Sequence, residues 1–409
     1  MNHIIGRCIV FSGTNVMRQF SKANLSPLFL HDGLRALSTS TNSARKMLAW
    51  QVESYGGPDS VKLVETPVPI IKKPNQVLIE VYATSINPLD IRMRGGYGAA
   101  LMNRARGVTT AGDELPLTLG RDCSGVIVDK GQGVKNFEVG EEVWAAIAGP
   151  DQGAHAKYAL VNSNALSPKP KNLSHTEAAS IPYVAITTWS GIYAVAKFRP
   201  ETAPDKRVLI LGGSGGVGTF AIQLMKAWGC HVTTTCSAAA MDFVATFNPD
   251  NMVDYNKNPA SELQRLGPFD LIFDTVGGDT ESYAMPSLGK RSHYITLITP
   301  FLRMIDEQGA LRGSLSASWA LFSKARQANN YGGKYRWSFA TPNTYALSEV
   351  AKLAEEGLIK PTVERVFPFE DMPAAFANVE TRSARGKTVV NVKGEVEAEV
   401  PKTADFYMS

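Results

Sequence analysis

The stretch VLILGGSGGVGTFAIQLMKAWG, residues 208–229, constrains the fold most tightly, because five glycines fall within positions 212–218 between an apolar run and a segment with helical apolar spacing. Glycine lets a backbone turn sharply and lets another group approach without a Cβ in the way. Gly213, Gly215 and Gly218 form GxGxxG, and Gly212, Gly215 and Gly218 form the related GxxGxxG. With VLIL before the glycines, FAIQLMKAWG after them and HVTTTC as the next apolar run, the expected unit is strand, tight turn, helix, strand. Such a turn offers free N–H groups at a helix N-terminus, where the dipole favours an anion such as a pyrophosphate. A dinucleotide is the expected ligand.

The surroundings support that unit. RVLILGG, HVTTTC, NMVDY, FDLIFDTVGG and HYITLIT alternate with helical stretches, which predicts a doubly wound parallel sheet over residues 184–340. Over residues 47–183 the rhythm is shorter. VKLVETPVPI, QVLIEVYATSI, SGVIVDKG, EEVWAAI and AKYALV predict a small, mostly antiparallel barrel. HTEAASIPYVAITTWSGIYAVAKF, between the two, carries helical spacing, and residues 300–336 are too long for a simple loop and read as partly helical. Residues 341–394 read as a helix, a strand, an acidic turn and a last strand, with a frayed tail over 395–409. The fold class is therefore α/β.

Residues 1–46 differ from the rest, with Arg7, Arg18, Lys22, Arg35, Arg45 and Lys46 against the single acid Asp32, and with a STSTNS tract. That composition predicts a mitochondrial transit segment, cleaved near RQFS or RALS. Removing it leaves a body close to −1 in formal charge, which gives no electrostatic basis for nucleic-acid binding. No apolar run reaches the length needed to cross a bilayer, so no transmembrane segment is expected. The four cysteines, Cys8, Cys123, Cys230 and Cys236, form neither a CxxC nor a disulfide framework and fit a reducing compartment.

The end of the second strand refines the ligand. NAD sites place an Asp or Glu there to accept from the ribose diol, whereas this chain has TTTCSAAAM, with no acid before Asp242. Ser237 would not repel a 2′-phosphate as a carboxylate would, and Tyr255 and Lys257 offer further donors, so NADPH is expected over NADH. Each also has a plain alternative: Ser237 as a helix cap, Tyr255 as a packing residue.

At this point SINPLDIRMRGGY, LGRDCSGVIVDKG and GGSGGVG resemble the medium-chain dehydrogenase/reductase superfamily over residues 46–393, and within it the zinc-free quinone oxidoreductase branch. The basic N-terminus, the 300–336 insertion and SARGKTVVNV are most similar to the mitochondrial, reticulon-interacting members. The resemblance implies a GroES-like β-barrel catalytic domain, built from 47–183 and 341–394, around a Rossmann cofactor domain. It implies NADPH contacts at Gly213, Ser214, Gly215, Gly216, Val217, Gly218, Ser237, Tyr255, Leu297, Phe339, Ser383, Ala384 and Arg385. Related quinone reductases often carry Lys where this chain has Ala240, a departure that weakens the NADP reading without reversing it. Zinc members of the superfamily hold metal at positions that here read Asn87, Arg121 and Asp122, so no metal site is expected. Without a Lewis acid, a quinone or activated alkene, which spreads developing charge, is a better acceptor than a simple ketone. The resemblance points to Asn87, Asp90 and Tyr97 as catalytic candidates, although Asn87 also fits a turn and Asp90 a helix cap. His155 and His175 read as structural. The resulting expectation is a mitochondrial matrix NADPH oxidoreductase acting on a quinone such as ubiquinone or a precursor, with possible association at a membrane surface. The alternatives are a 2-enoyl thioester reductase, or a non-catalytic NADPH-binding protein presented to a reticulon-type partner. A homodimer through the sheet edge is a further possibility carried by the resemblance.

Overall fold

The structure is a computed structural model that describes residues 45–108, 112–381 and 385–394. The expected transit segment up to Ala44, the 395–409 tail, Ser383, Ala384 and Cys8 lie outside the described residues.

Three sheets organise the described residues. A six-stranded sheet runs Asn251–Asp254, His231–Cys236, Arg207–Leu211, Phe269–Asp274, Leu288–Thr296, Lys334–Trp337 across its width, every neighbouring pair parallel. Numbered along the chain from Arg207–Leu211, this is the order 3-2-1-4-5-6 of a doubly wound dinucleotide fold. Its strands read as nearly continuous apolar runs because helices cover both faces: Val208, Leu209, Ile210 and Leu211 are all fully buried. The strand order reverses between Arg207–Leu211 and Phe269–Asp274, and sheets of this kind take their ligand in the crevice outside the carboxyl ends at such a reversal.

The second body is a mostly antiparallel barrel. The long strand Gln76–Ile86 pairs with Asp122–Lys130, Tyr158–Asn162 and Lys387–Asn391, so the C-terminal return is inserted into a sheet made by the N-terminal half. One parallel pair, Val363–Pro368 with Lys387–Asn391, completes that return. A three-stranded sheet of Val61–Pro67, Lys46–Val52 and Leu117–Thr118 lies beside it.

The stretch 175–198 is broken rather than continuous. Ser174 caps a single turn, His175–Ala178; Pro182, which has no N–H to donate, opens the helix Pro182–Trp189; and a π-helical turn, Ser190–Val195, follows. Trp144 and Ala146 of the barrel pack in one core with Ile186, Trp189, Ile210 and Phe220, which ties the two bodies together across this helix. The 300–336 insertion is helical over Phe301–Asn330, with a break at Gly309, whose φ of 77° is left-handed.

Candidate functional site

The glycine turn follows Leu211 and leads into the helix Gly216–Ala227. Three of its glycines are required by the protein's own packing. Gly212 has φ 87°, a Cβ on Gly213 would lie 2.2 Å from Thr234 Oγ1, and one on Gly218 would lie 2.0 Å from the Gly212 carbonyl oxygen. Gly215 is different: its φ of −77° suits any residue, and an added Cβ would find only the Gly212 oxygen, at 3.8 Å. The space over Gly215 is open, and it lies at a helix N-terminus whose first N–H groups have no partner within the helix. This cradle, which one methyl would fill, fits the pyrophosphate of a dinucleotide.

At the end of the second strand Ser237 is half-buried, and its side chain does not cap the short turn that follows. Tyr255 follows the neighbouring strand, donates its N–H to the Cys236 carbonyl at 3.3 Å and is exposed. Lys257 is exposed nearby, 3.9 Å from Asp254. Arg385 reaches this corner from the other end of the chain, its guanidinium donating to the Ala239 carbonyl at 2.7 Å. The Arg385 guanidinium thus lies at the turn that begins with the Ser237 hydroxyl. Leu297 and Phe339 follow the strands Leu288–Thr296 and Lys334–Trp337 at the same carboxyl edge. Phe339 makes an edge contact with Phe301.

The C-terminal return clasps the glycine turn directly. Gly386 bridges to Gly215 in parallel, and its N–H donates to the Ser214 carbonyl at 3.2 Å. The next residue, Lys387, runs its methylenes past Gly216, where an added Cβ would come within 2.8 Å of Cδ. Its ammonium ends in a buried polar cluster, donating to Asn87 Oδ1 at 2.6 Å and lying 3.2 Å from Asp122 Oδ2. Asn87 Nδ2 and Ser85 Oγ each donate to Asp122 Oδ2 at 2.6 Å, and the Tyr183 N–H donates to Asp122 Oδ1. Beside it, Asp90 is fully buried and accepts from the backbone N–H groups of Asn87 (2.8 Å) and Gly120 (2.9 Å). Arg121 faces Asp90 at 3.7 Å and donates to the carbonyls of Thr118, Ala148, Gly149 and Asp151. Two carboxylates and two cations balance, which is what allows them to be buried.

Of the three catalytic candidates, Asn87 lies inside this cluster with both ends of its amide engaged. Asp90 shapes the turn from which the helix Pro88–Arg94 starts, and no oxygen of it faces an open space. Tyr97 is half-buried under Arg92, and burial raises its phenol above the ordinary range. The cluster also contains residues that the sequence reading did not single out. Tyr183 has its phenol held well above the usual range by burial, with Asp90 and Asp122 adding to the effect, so it stays protonated. Lys387 carried one local signal, a lysine opening an apolar strand, but nothing in its spacing linked it to Asn87. His155 is fully buried against Gly120 and bonded to the Ser85 carbonyl at 3.2 Å, and His175 bonds Ser124 and Glu142.

The first part of the insertion closes over Tyr97. Asp306 accepts from the N–H groups of Gly98 (2.6 Å) and Ala100 (3.1 Å), capping the helix Ala99–Arg106, and Leu302 packs against Gly98. This segment is thereby fastened to the Gly98–Ala100 turn.

Zinc does not suit these residues. The positions at issue supply an amide, a guanidinium and one carboxylate already bonded to three other donors, with an ammonium 3.2 Å away that would repel a divalent ion. Among the described residues no group of three His, Cys, Asp or Glu side chains is placed to hold a metal.

Comparison with known proteins agrees with this geometry. Residues 73–171 match the family described as Alcohol dehydrogenase GroES-like domain, and residues 248–390 the one described as Zinc-binding dehydrogenase, a description whose metal these side chains do not fit. The mitochondrial NAD(P)H oxidoreductase RTN4IP1 of Mus musculus is 46% identical over 365 residues, 88% of this chain and 92% of that protein. The mitochondrial Reticulon-4-interacting protein 1 of Caenorhabditis elegans is 35% identical over 363 residues, 87% of this chain and 97% of that one. Among solved structures, the quinone oxidoreductase from Coxiella burnetii aligns with a TM-score of 0.70 at 27% identity, covering 85% of this chain and all of that one. The barrel, the 3-2-1-4-5-6 sheet, the glycine turn and these relatives together place the chain in the medium-chain dehydrogenase/reductase superfamily.

Proposed function

We propose that this chain is a mitochondrial, zinc-independent NADPH oxidoreductase whose acceptor is a quinone, ubiquinone or one of its precursors. The carrying observation is the charge-balanced cluster of Lys387, Asn87, Asp122, Asp90 and Arg121 beside the glycine turn, which occupies the place of a metal site with groups that cannot hold a Lewis-acid metal. NADPH, when bound, supplies a hydride. Gly215 and the N–H groups of Gly216 and Val217 would hold its pyrophosphate, with Ser214 beside them, and Ser237, Tyr255 and Arg385 would hold the third phosphate. Ser383 and Ala384 precede Arg385 in the same segment, outside the described residues.

The rest is work for the chain's own side chains. Lys387 and Asn87 brace the floor of the crevice, the Phe301-side segment excludes water above it, and the Tyr97 phenol or water gives the proton to an acceptor oxygen. A conjugated acceptor suits this arrangement because its developing charge is delocalised and needs only a modest donor. The mitochondrial names of the relatives and the basic segment 1–46 support the location, and the name of the Caenorhabditis elegans relative supports a reticulon-type partner for this chain as well.

The test is NADPH oxidation by the purified chain with a short-chain ubiquinone analogue against crotonyl-CoA. Turnover with the quinone is expected. Turnover with the thioester alone would replace the quinone by a 2-enoyl thioester, and tight NADPH binding with no turnover by any acceptor would leave a partner-binding protein.

A further inference from the structure

The second part of the insertion, from the break at Gly309 to Asn330, is built inside out. Its inward face is made mostly of small residues, with Leu321 packing on the sheet core: Gly313, Ala317 and Ala328 are buried, and a Cβ on Gly313 would come within 2.3 Å of the Met304 carbonyl oxygen. Lys324 fastens the helix inward by pairing with Glu281 at 2.7 Å. Four other large apolar residues point the opposite way. Leu311, Leu315, Trp319 and Phe322 are 68, 65, 71 and 58% exposed. At about 100° per residue these four fall within about 80° of one another, a single stripe on the face away from the core. Four large apolar side chains in one exposed row are a docking feature rather than scattered surface residues.

Charge identifies the occupant. From Gln308 to Ser348 the chain has no acid at all, but has Arg312, Lys324, Arg326, Lys334 and Arg336. Arg312 and Arg326 are exposed, and neither has a carboxylate within ion-pair distance among the described residues. Lys290 and Arg291 add to the cationic end, since the Arg291 N–H donates to the Gly332 carbonyl at 2.8 Å, just beyond the helix. A second copy docking through this face about a two-fold axis would set these cations against their own images. A surface that is apolar within and anionic at its boundary accepts both the row and its rim.

We propose that the 310–330 helix lies on a lipid bilayer bearing anionic headgroups, with Leu311, Leu315, Trp319 and Phe322 entering the interface and Arg312, Arg326 and Lys334 at headgroup level. A row of Leu, Trp and Phe beside arginines is the composition of an interfacial helix. The proposal is independent of which acceptor is reduced.

Trp319 reports on it directly, because Trp50, Trp144, Trp189 and Trp228 are buried and Trp337 is half-buried. The full chain is mixed with phosphatidylcholine vesicles, with and without phosphatidylserine, part of the phosphatidylcholine being brominated to quench indole emission at shallow depth. Quenching is expected on the anionic vesicles, is absent in Trp319→Phe, and weakens about fivefold in affinity for each of Arg312→Gln and Arg326→Gln. Phe322→Ser with Leu315→Ser should lower partitioning about tenfold or more while NADPH binding is retained. The proposal is overturned by quenching that persists in Trp319→Phe, by no quenching of the parent chain, or by a lipid-free dimer that Phe322→Ser with Leu315→Ser converts to monomer. The basic N-terminal segment cannot mimic the result, because the readout is local to residue 319.

Discussion

A methyl group placed on Gly215 meets nothing of the protein closer than 3.8 Å, whereas one on Gly218 lands 2.0 Å from a backbone oxygen. The two substitutions should therefore separate binding from folding. Gly215→Ala is expected to keep or slightly raise the unfolding midpoint, since its φ is ordinary, and to weaken NADPH about tenfold or more through the lost approach of phosphate to N–H. Gly218→Ala should lower stability by about 1–3 kcal/mol or more through overpacking. Equal loss of stability in both would remove the ligand-based reason for Gly215. At the phosphate corner, Ser237→Asp puts a carboxylate where a third phosphate is expected, and Arg385→Gln removes the guanidinium held on the Ala239 carbonyl. Each should cut the NADPH-over-NADH preference about tenfold or more in titrations with both nucleotides, leaving NADH affinity nearly unchanged. An unaltered preference in both variants would place the discrimination elsewhere. The glycines and Ser237 were legible in the sequence because their meaning is local, a turn and a strand end. Arg385 came only through resemblance, since nothing in its neighbourhood says that it reaches residue 239.

Strands, rather than neighbouring residues, assemble the buried cluster. Thr388 is registered opposite Ile86, which sets Lys387 beside Asn87, and the pairing of Thr84 with Cys123 brings Asp122 alongside. The three positions are 35, 265 and 300 residues apart, so no spacing rule in the sequence could join them. What could be read was the alternation that makes the strands; what could not was their register. The helix at Pro182 shows the same boundary: apolar spacing made 175–198 look continuous, while the proline's missing N–H broke it. Because the cluster is neutral as a whole, removing one charge should cost more than removing two. Lys387→Met leaves Asp122 buried beside Asn87 and Ser85 with no cation, at a cost of about 3–5 kcal/mol in urea unfolding. Adding Asp122→Asn to that variant should recover part of the loss, a coupling that a double-mutant cycle measures. Strictly additive losses would mean that the ammonium and carboxylate do not interact across the 3.2 Å that separates them.

Across the whole molecule, each body contains one imidazole, His155 fully buried and His293 half-buried, that resists protonation. His155 in the barrel is lowered from its ordinary value by burial first, with Arg121 adding to it. His293, in the strand Leu288–Thr296 of the cofactor sheet, is pushed down to about 4 by burial and by Arg336 and Lys334. The sign follows from proton counts. Above the unfolded value, near 6.5, neither state binds a proton there; below it the unfolded chain takes up protons that the folded chain does not, so stability falls with pH. For His293 that window runs from about 6.5 down to about 4, at up to about 1.4 kcal/mol per pH unit, reduced by the solvent screening of its partly exposed ring. The shared core of Trp144 and Ala146 with Ile210 and Phe220, and the clasp of Gly386 on the glycine turn, argue that the two bodies unfold together. One urea transition is then expected, its midpoint dropping between pH 7 and pH 5 with contributions from both rings. His293→Gln should flatten that slope by as much as one proton while leaving a single transition, because His155 still acts on the same cooperative unit. A slope that His293→Gln does not change would contradict the burial assigned to that ring. Two resolved transitions, only one of them altered, would show that the clasp and shared core do not couple the barrel to the cofactor sheet.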